Sequence, residues 1–297
     1  MVSGALLVVT LLTGIVHAAV VTKRQAVSPL SAAQIATFKP YTSYASAAYC
    51  EPSTTVNWSC GSNCDANSGF QPFASGGNGD DIQFWYVGFD PSLKTVIVGR
   101  QGTDTQSIEA VLTDVNIKRR KLDTTLFPGI SSSIEVHDGF ADSQAKSAND
   151  ILVAVRSTLS KNSSKSVTVV GHSLGAALGL IDSVFLSLQL GSGVKVTTIG
   201  YGLPRVGNEA FANYVDAHQH VTHISNKKDP VPIIPGRGLG FAHPSGEVHI
   251  AVDNSDWNSC PGQDSTATDC TIYDVPNIFE SDSDDHDGPY DGLTIGC

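Results

Sequence analysis

The stretch VTVVGHSLGAALGL, Val167 to Leu180, sets a serine between two glycines directly after a run of valines. The chain holds 28 glycines, so the bare G-x-S-x-G string is a weak signal, and its surroundings must decide whether Ser173 is a nucleophile or an idle turn residue. Upstream, Lys165 to Val170 reads KSVTVV, short and β-branched as a buried strand should be. Downstream, Leu174 to Leu190 is rich in Leu and Ala and free of proline, which predicts a helix. A strand turning abruptly into a helix thrusts the serine hydroxyl outward, and only small neighbours tolerate the crowding. Gly171, Gly175, Ala176 and Ala177 supply them.

A serine hydroxyl is a poor nucleophile at neutral pH; it needs a base, and the base needs an acceptor that fixes its tautomer. In folds built on such a turn the order is Ser, then Asp or Glu, then His, each following a strand. The next strand is expected over Lys195 to Gly200, and another over His220 to Ser225 (HVTHIS), running into Asn226-Lys227-Lys228-Asp229-Pro230. Asp229 stands where the acid belongs, and Pro230 favours an extended backbone there; an ordinary loop aspartate capping its own turn is the competing reading. Of His243, His249 and His286, the first two leave little chain for further elements after Asp229. His286, near the terminus where the last strand should end, is the expected base. His172 and His137 are expected to be packing residues. The attacked carbonyl develops negative charge and needs two donors. The backbone N–H of Leu174 is one candidate, and Thr103, in the Gly102-Thr103 pair after an expected strand over Thr95 to Val98, is the other.

The whole chain bounds these readings. Its start, MVSGALLVVTLLTGIVHAA, is apolar but short, and Val16-His17-Ala18 fits a signal-peptidase site, so residues 1–18 read as a secretory signal. Lys23-Arg24 reads as a dibasic processing site ending a propeptide over 19–24, which leaves a single domain over 25–297. A domain of about 270 residues can bury a large core. The net charge of −11 argues against a nucleic-acid partner. One basic run, Lys118 to Lys121, reads as a solvated face, the alternative being a patch that touches an anionic lipid surface. The acidic DSDDHDGPYDG around His286 lacks the register of a calcium loop and reads as solvated carboxylates. No metal and no cofactor is expected.

Six cysteines in a chain that reads as exported predict disulfides rather than zinc, whose paired C-x-x-C spacing is missing. Many pairings are possible; spacing suggests Cys60 with Cys64 and Cys260 with Cys270, leaving Cys50 for Cys297. Asn57-Trp58-Ser59 and Asn162-Ser163-Ser164 are glycosylation sequons.

Several long motifs, in order, carry a family resemblance: YASAAYC before Cys50, VHDGF at Val136, VVGHSLGAAL, YGLPRVGNEAFANYVD from Tyr201, ISNKKDPVPIIPGRGLGFAHPSGEV around Asp229, and DDHDGPYDGLTIG. Together they resemble the fungal class 3 lipases, most closely the secreted mono- and diacylglycerol lipase branch, over nearly all of residues 25–297. The resemblance implies an α/β-hydrolase fold, a central mostly parallel sheet flanked by helices, with a short helical lid. It implies Ser173 as nucleophile, Asp229 as acid, His286 as base, Thr103 and Leu174 as the oxyanion hole, and the end-to-end cystine.

Two departures qualify it. Many triacylglycerol lipases of the family carry Arg where Gln101 stands, and their lid often carries a tryptophan absent from Ser107 to Val115. That stretch still places Ile108, Val111, Leu112 and Val115 on one helical face, as a lid or as an ordinary amphipathic helix. The expectation is a secreted, monomeric serine ester hydrolase that contacts lipid transiently and leans to mono- and diacylglycerols with modest interfacial activation. The alternatives are a feruloyl or general carboxylesterase, and a silent scaffold used for binding.

Overall fold

The computed structural model describes residues 1, 26–103, 117–253 and 255–297. The expected signal and propeptide, and the lid residues Ile108, Val111, Leu112 and Val115, lie outside the described residues.

Eleven strands are described: β1 (Ser28–Pro29), β2 (Gln71–Gly76), β3 (Trp85–Asp90), β4 (Thr95–Arg100), β5 (Arg119–Lys121), β6 (Glu135–His137), β7 (Ser166–His172), β8 (Lys195–Tyr201), β9 (His220–Asn226), β10 (Glu247–Ile250) and β11 (Trp257–Ser259). Nine form one sheet in the order β1-β11-β10-β9-β8-β7-β4-β3-β2, and β5 pairs with β6 apart from it. The centre, β4-β7-β8-β9-β10, is parallel; both flanks are antiparallel.

Parallel strands covered on both faces need apolar side chains in both directions, which is why β4 and β7 read as valine-rich runs rather than alternating ones. In β4, Val96 and Val98 join the core on one face and Ile97 the core on the other. Four helices account for the cover: α1 (Lys39–Ala47), α2 (Asp138–Asn162), α3 (Leu174–Leu190) and α4 (Glu209–His218). The larger core holds Ile151 and Val155 of α2, Leu178, Ile181 and Phe185 of α3, and Phe211 of α4. Tyr44 and Ala45 of α1 sit in the other core, with Tyr86, Tyr201 and Tyr290. The helix starts obey local chemistry: His137 Nδ1 accepts the Phe140 N–H at the head of α2, and Asn208 Oδ1 accepts the Phe211 N–H at the head of α4.

The expected helix over Leu174 to Leu190 has those ends, and the four strands expected over 95–98, 165–170, 195–200 and 220–225 are present, each running one or two residues further at its C-terminal end. The cystines pair as spacing suggested: Cys50–Cys297, Cys60–Cys64 and Cys260–Cys270. One reading needs correcting. His286 does not close a final strand: β11 ends at Ser259, and His286 follows a single 3-10 turn, Ser283–Asp285. The basic run lies at the surface, Lys118 and Lys121 exposed, with Arg119 on Glu135 (3.3 Å) and over the Phe241 ring, and Arg120 on Asp142 (2.6 Å) and Asp138 (3.4 Å).

Candidate active site

Register aligns the carboxyl ends of the parallel strands. Arg100 pairs with Gly171, Gly171 with Gly200, and Tyr201 with Ile224, so the segments leaving β4, β7, β8 and β9 emerge on one edge. Ser173 is the first residue past β7 and precedes α3, with φ 58° and ψ −131°, a left-handed conformation a serine adopts only when its surroundings impose it. Its N–H donates to the Tyr201 carbonyl (2.9 Å). Gly175 lets the head of α3 touch the end of β4: a Cβ there would collide with the Arg100 carbonyl and lie 2.7 Å from the Gln101 carbonyl carbon. The segment Gln101–Gly102–Thr103 therefore lies against the turn that carries Ser173 and Leu174. Gln101 pins that segment, its N–H to the Phe84 carbonyl (2.9 Å) and its Oε1 to the Phe84 N–H (2.7 Å).

Asp229 leaves β9 through a tight turn, its N–H on the Asn226 carbonyl (2.9 Å). Its Oδ1 accepts the Val231 N–H (2.8 Å) and the His286 Nδ1–H (2.9 Å), so the carboxylate caps its own turn and faces the imidazole at once. Both partners are almost wholly buried. A carboxylate facing Nδ1 puts the ring proton there and leaves Nε2 as the acceptor. Nε2 is buried without a hydrogen-bond partner among the described residues, its lone pair open to a neighbouring hydroxyl. Gly202, next to the Tyr201 carbonyl that holds Ser173, packs on the His286 ring: a Cβ there would lie 2.8 Å from that ring and 3.0 Å from Asp229 Oδ2. Ser173, Asp229 and His286 thus gather around one dipeptide at the end of β8.

Burial alone would push the His286 imidazole down, but the charge and hydrogen bond of Asp229, with Asp287 adding to them, hold its pKa above the ordinary value. A base must be neutral to take a proton, so the acid limb of the pH–rate profile is expected above the free-imidazole value of about 6.5. The Asp229→Asn variant removes the charge and unfixes the tautomer. Its acid limb is expected to move to lower pH while kcat falls about 10⁴-fold. An acid limb that stays in place would show that Asp229 does not set the imidazole.

His286 rides a tail without strands, tied down by side chains the sequence did not reveal. Its carbonyl accepts from the Tyr290 hydroxyl (3.0 Å) and bonds His172 Nε2 (2.9 Å), while Asn226 Nδ2 donates to the Asp285 carbonyl (2.8 Å). Asp285 Oδ2 accepts the Lys228 N–H (3.1 Å), so one carboxylate of the acidic run fastens the tail to the Asp229 turn. Behind β4, Arg100 pairs with Asp182 of α3 (3.1 Å), both fully buried, with Gln144 on the same carboxylate (2.9 Å) and Ser147 on the guanidinium (2.6 Å). A charged residue inside an apolar helix and an arginine ending an apolar strand were the available signals for that pair. His243 and His249 lie apart from the site, on the Pro232 carbonyl (2.8 Å) and Asp274 (3.0 Å). His137 caps α2, as a packing residue should.

A mostly parallel sheet of this order, with a strained serine between strand and helix and a buried His–Asp pair at the same edge, defines an α/β-hydrolase. The profile of the class 3 lipases matches residues 97–239. Secreted mono- and diacylglycerol lipase MDL2 of Malassezia globosa is 35% identical over 205 residues, 68% of this chain and 66% of the relative. MDL3 of the same organism is 32% identical over 233 residues, covering 73% and 74%. Among solved structures, Rhizomucor miehei triacylglyceride lipase superposes with a TM-score of 0.76 at 27% identity, covering 91% of this chain and 98% of that one. The lipase from Rhizopus microsporus var. chinensis gives 0.78 at 26%, covering 92% of each. The chain belongs to the class 3 lipase family.

Proposed function

We propose that the chain is a secreted, monomeric carboxyl-ester hydrolase acting on acylglycerols, with a preference for mono- and diacylglycerols. The observation that carries this reading is the buried Asp229–His286 pair set beside the strained Ser173 turn. Ser173 Oγ attacks the ester carbonyl as its proton passes to His286 Nε2. The Leu174 and Thr103 amides hold the oxyanion. The tetrahedral species collapses as His286 returns the proton to the departing glycerol oxygen, leaving an acyl group on Ser173. Water, giving its proton to His286, then attacks the acyl carbon; the bond to Ser173 Oγ breaks, His286 returns the proton to Oγ, and the fatty acid leaves. Every step runs on groups of one chain.

Exposed apolar side chains support a lipid substrate. Phe279 is 94% exposed beside Ile278 in the sequence, and Leu239 and Tyr273 are exposed as well. Ile272 and Ile278, with Ile233 and Ile234 from the loop after Asp229, line a cavity of about 270 Å³. The net charge of −11 favours an uncharged acylglycerol phase over an anionic surface. Ile108, Val111, Leu112 and Val115 would cover the site in water, on the ground of their helical spacing, and the absence of a large aromatic there supports modest interfacial activation. The apolar start of the sequence and the relatives' names support export, with residues 1–18 as the proposed leader and 19–24 as the proposed propeptide. Asn57, exposed and accepting the Ser59 hydroxyl (2.6 Å), and Asn162 are the proposed glycosylation sites.

Two measurements test the reading together. A fluorophosphonate is expected to label Ser173 alone, and dioleoylglycerol emulsion is expected to be turned over faster than trioleoylglycerol or methyl ferulate. Labelling with a marked preference for the ferulate would assign a feruloyl esterase. Correctly folded protein with neither labelling nor turnover would assign a binding scaffold.

A further inference from the structure

His172 lies next to Ser173 in sequence and under His286 in space, its ring 4.3 Å from the His286 ring, and the reaction written above gives it nothing to do. It is wholly buried, yet both ring nitrogens are engaged, Nε2 with the His286 carbonyl (2.9 Å) and Nδ1 with the Tyr49 hydroxyl (2.7 Å). A carbonyl can only accept, so Nε2 carries the proton; in a neutral ring Nδ1 is then the acceptor, and the Tyr49 hydroxyl donates to it. The direction of the chain is therefore fixed from Tyr49 through His172 to the backbone of His286.

That ring stays neutral. Burial pushes its pKa well down and the neighbouring His286 pushes the same way, against the hydrogen bond to the His286 carbonyl. Neutrality matters because His286 becomes an imidazolium during turnover, and a second cation at that distance in a buried site would oppose it. Tyr49 also meets the oxyanion segment: a Cβ on Gly102 would strike its hydroxyl and lie 2.6 Å from the His172 carbonyl. One short chain of contacts thus touches the oxyanion segment, the nucleophile turn and the base loop, which come from distant parts of the sequence.

We propose that Tyr49 and His172 are positioning residues: their hydrogen-bond chain holds the base loop, and with it His286 Nε2, in register with the nucleophile turn. The inference rests on the triad reading above. A base on a strandless tail has no sheet register to aim it, and a displacement of about 1 Å can cost about a hundredfold in rate. The Tyr290 hydroxyl shares the same carbonyl, so loss of Tyr49 loosens the base rather than freeing it.

The test compares Tyr49→Phe, His172→Phe, His172→Gln and Ser173→Ala on a soluble short-chain ester, reading kcat and KM separately, with thermal unfolding as the check on folding. Tyr49→Phe is expected to lower kcat about tenfold, and His172→Phe about a hundredfold, with KM within about twofold of the parent in both. His172→Gln keeps an N–H donor where Nε2 stood, and is expected to recover kcat to within about tenfold of the parent. Equal losses in the Gln and Phe variants would assign the effect to ring packing and overturn the proposal. So would a kcat within about twofold of the parent in Tyr49→Phe, which removes one oxygen and decides the matter if His172→Phe does not fold. If Ser173→Ala is inactive while those variants are unaffected, the positioning chain is wrong and the triad stands. If Ser173→Ala stays active, the triad reading itself is wrong.

Discussion

The Ser173→Ala variant is expected to fold with unchanged thermal stability and to lose about 10⁶-fold in kcat, the scale on which a serine nucleophile removed from a complete triad is felt. Folding should survive because Ser173 is held in its left-handed conformation by its backbone, through the Tyr201 carbonyl and the head of α3, and not by its hydroxyl. Alanine suffers the same strain as serine there, so the change removes chemistry and leaves packing in place. Affinity for substrate should change little, since the attacking oxygen contributes to the transition state far more than to the ground state. Steady-state kinetics on a soluble ester, beside a binding titration with a non-hydrolysable ether analogue, would read both quantities. A variant that bound the ether normally and still turned over ester within a hundredfold of the parent would mean that another group attacks.

Breaking the Cys50–Cys297 cystine, by Cys50→Ser together with Cys297→Ser, is the second large effect. The bridged residues stand 247 apart in sequence, and the chain-entropy account gives so long a loop about 5 kcal/mol. That is a third or more of the stability of an ordinary domain. Opening Cys60–Cys64, only four residues apart, should cost about 2 kcal/mol on the same account. Denaturant unfolding of both variants would measure the difference, and equal losses would show that loop length is not what matters. Activity should suffer as well. The tail would keep the bonds of Ser46 and Asn63 to Gly296, but lose its covalent end near the segment that carries His286.

Much of this architecture was legible because it is local. KSVTVV can only be a covered strand, LGAALGLIDSVFLSLQL can only be a helix, and the glycines and alanines between them leave room for one kind of turn. The order Ser173, Asp229, His286 came from topology, which constrains where strand ends can fall. What stayed hidden is what depends on meetings across the fold. Nothing near His286 announces that its support comes from Tyr290, Asn226 and His172, because hydrogen bonds to a backbone carbonyl leave no trace in residue spacing. The Arg100–Asp182 pair left a signal in each partner, a charge interrupting an apolar run, but nothing in the spacing says that the two meet. The last strand was misplaced for a related reason: the sequence order of a triad says that a base must arrive, and does not say that a strand must deliver it.

The edge that gathers Ser173, Asp229 and His286 is closed to experiment by natural variation at its centre. Side chains at Gly102, Gly175 or Gly202 would run into backbone or into the Tyr49, Asp229 and His286 side chains. The loops around Leu239 and Phe279 have solvent on one side and carry no such restriction. Sequence change can therefore accumulate in those loops without straining the glycines packed at that edge.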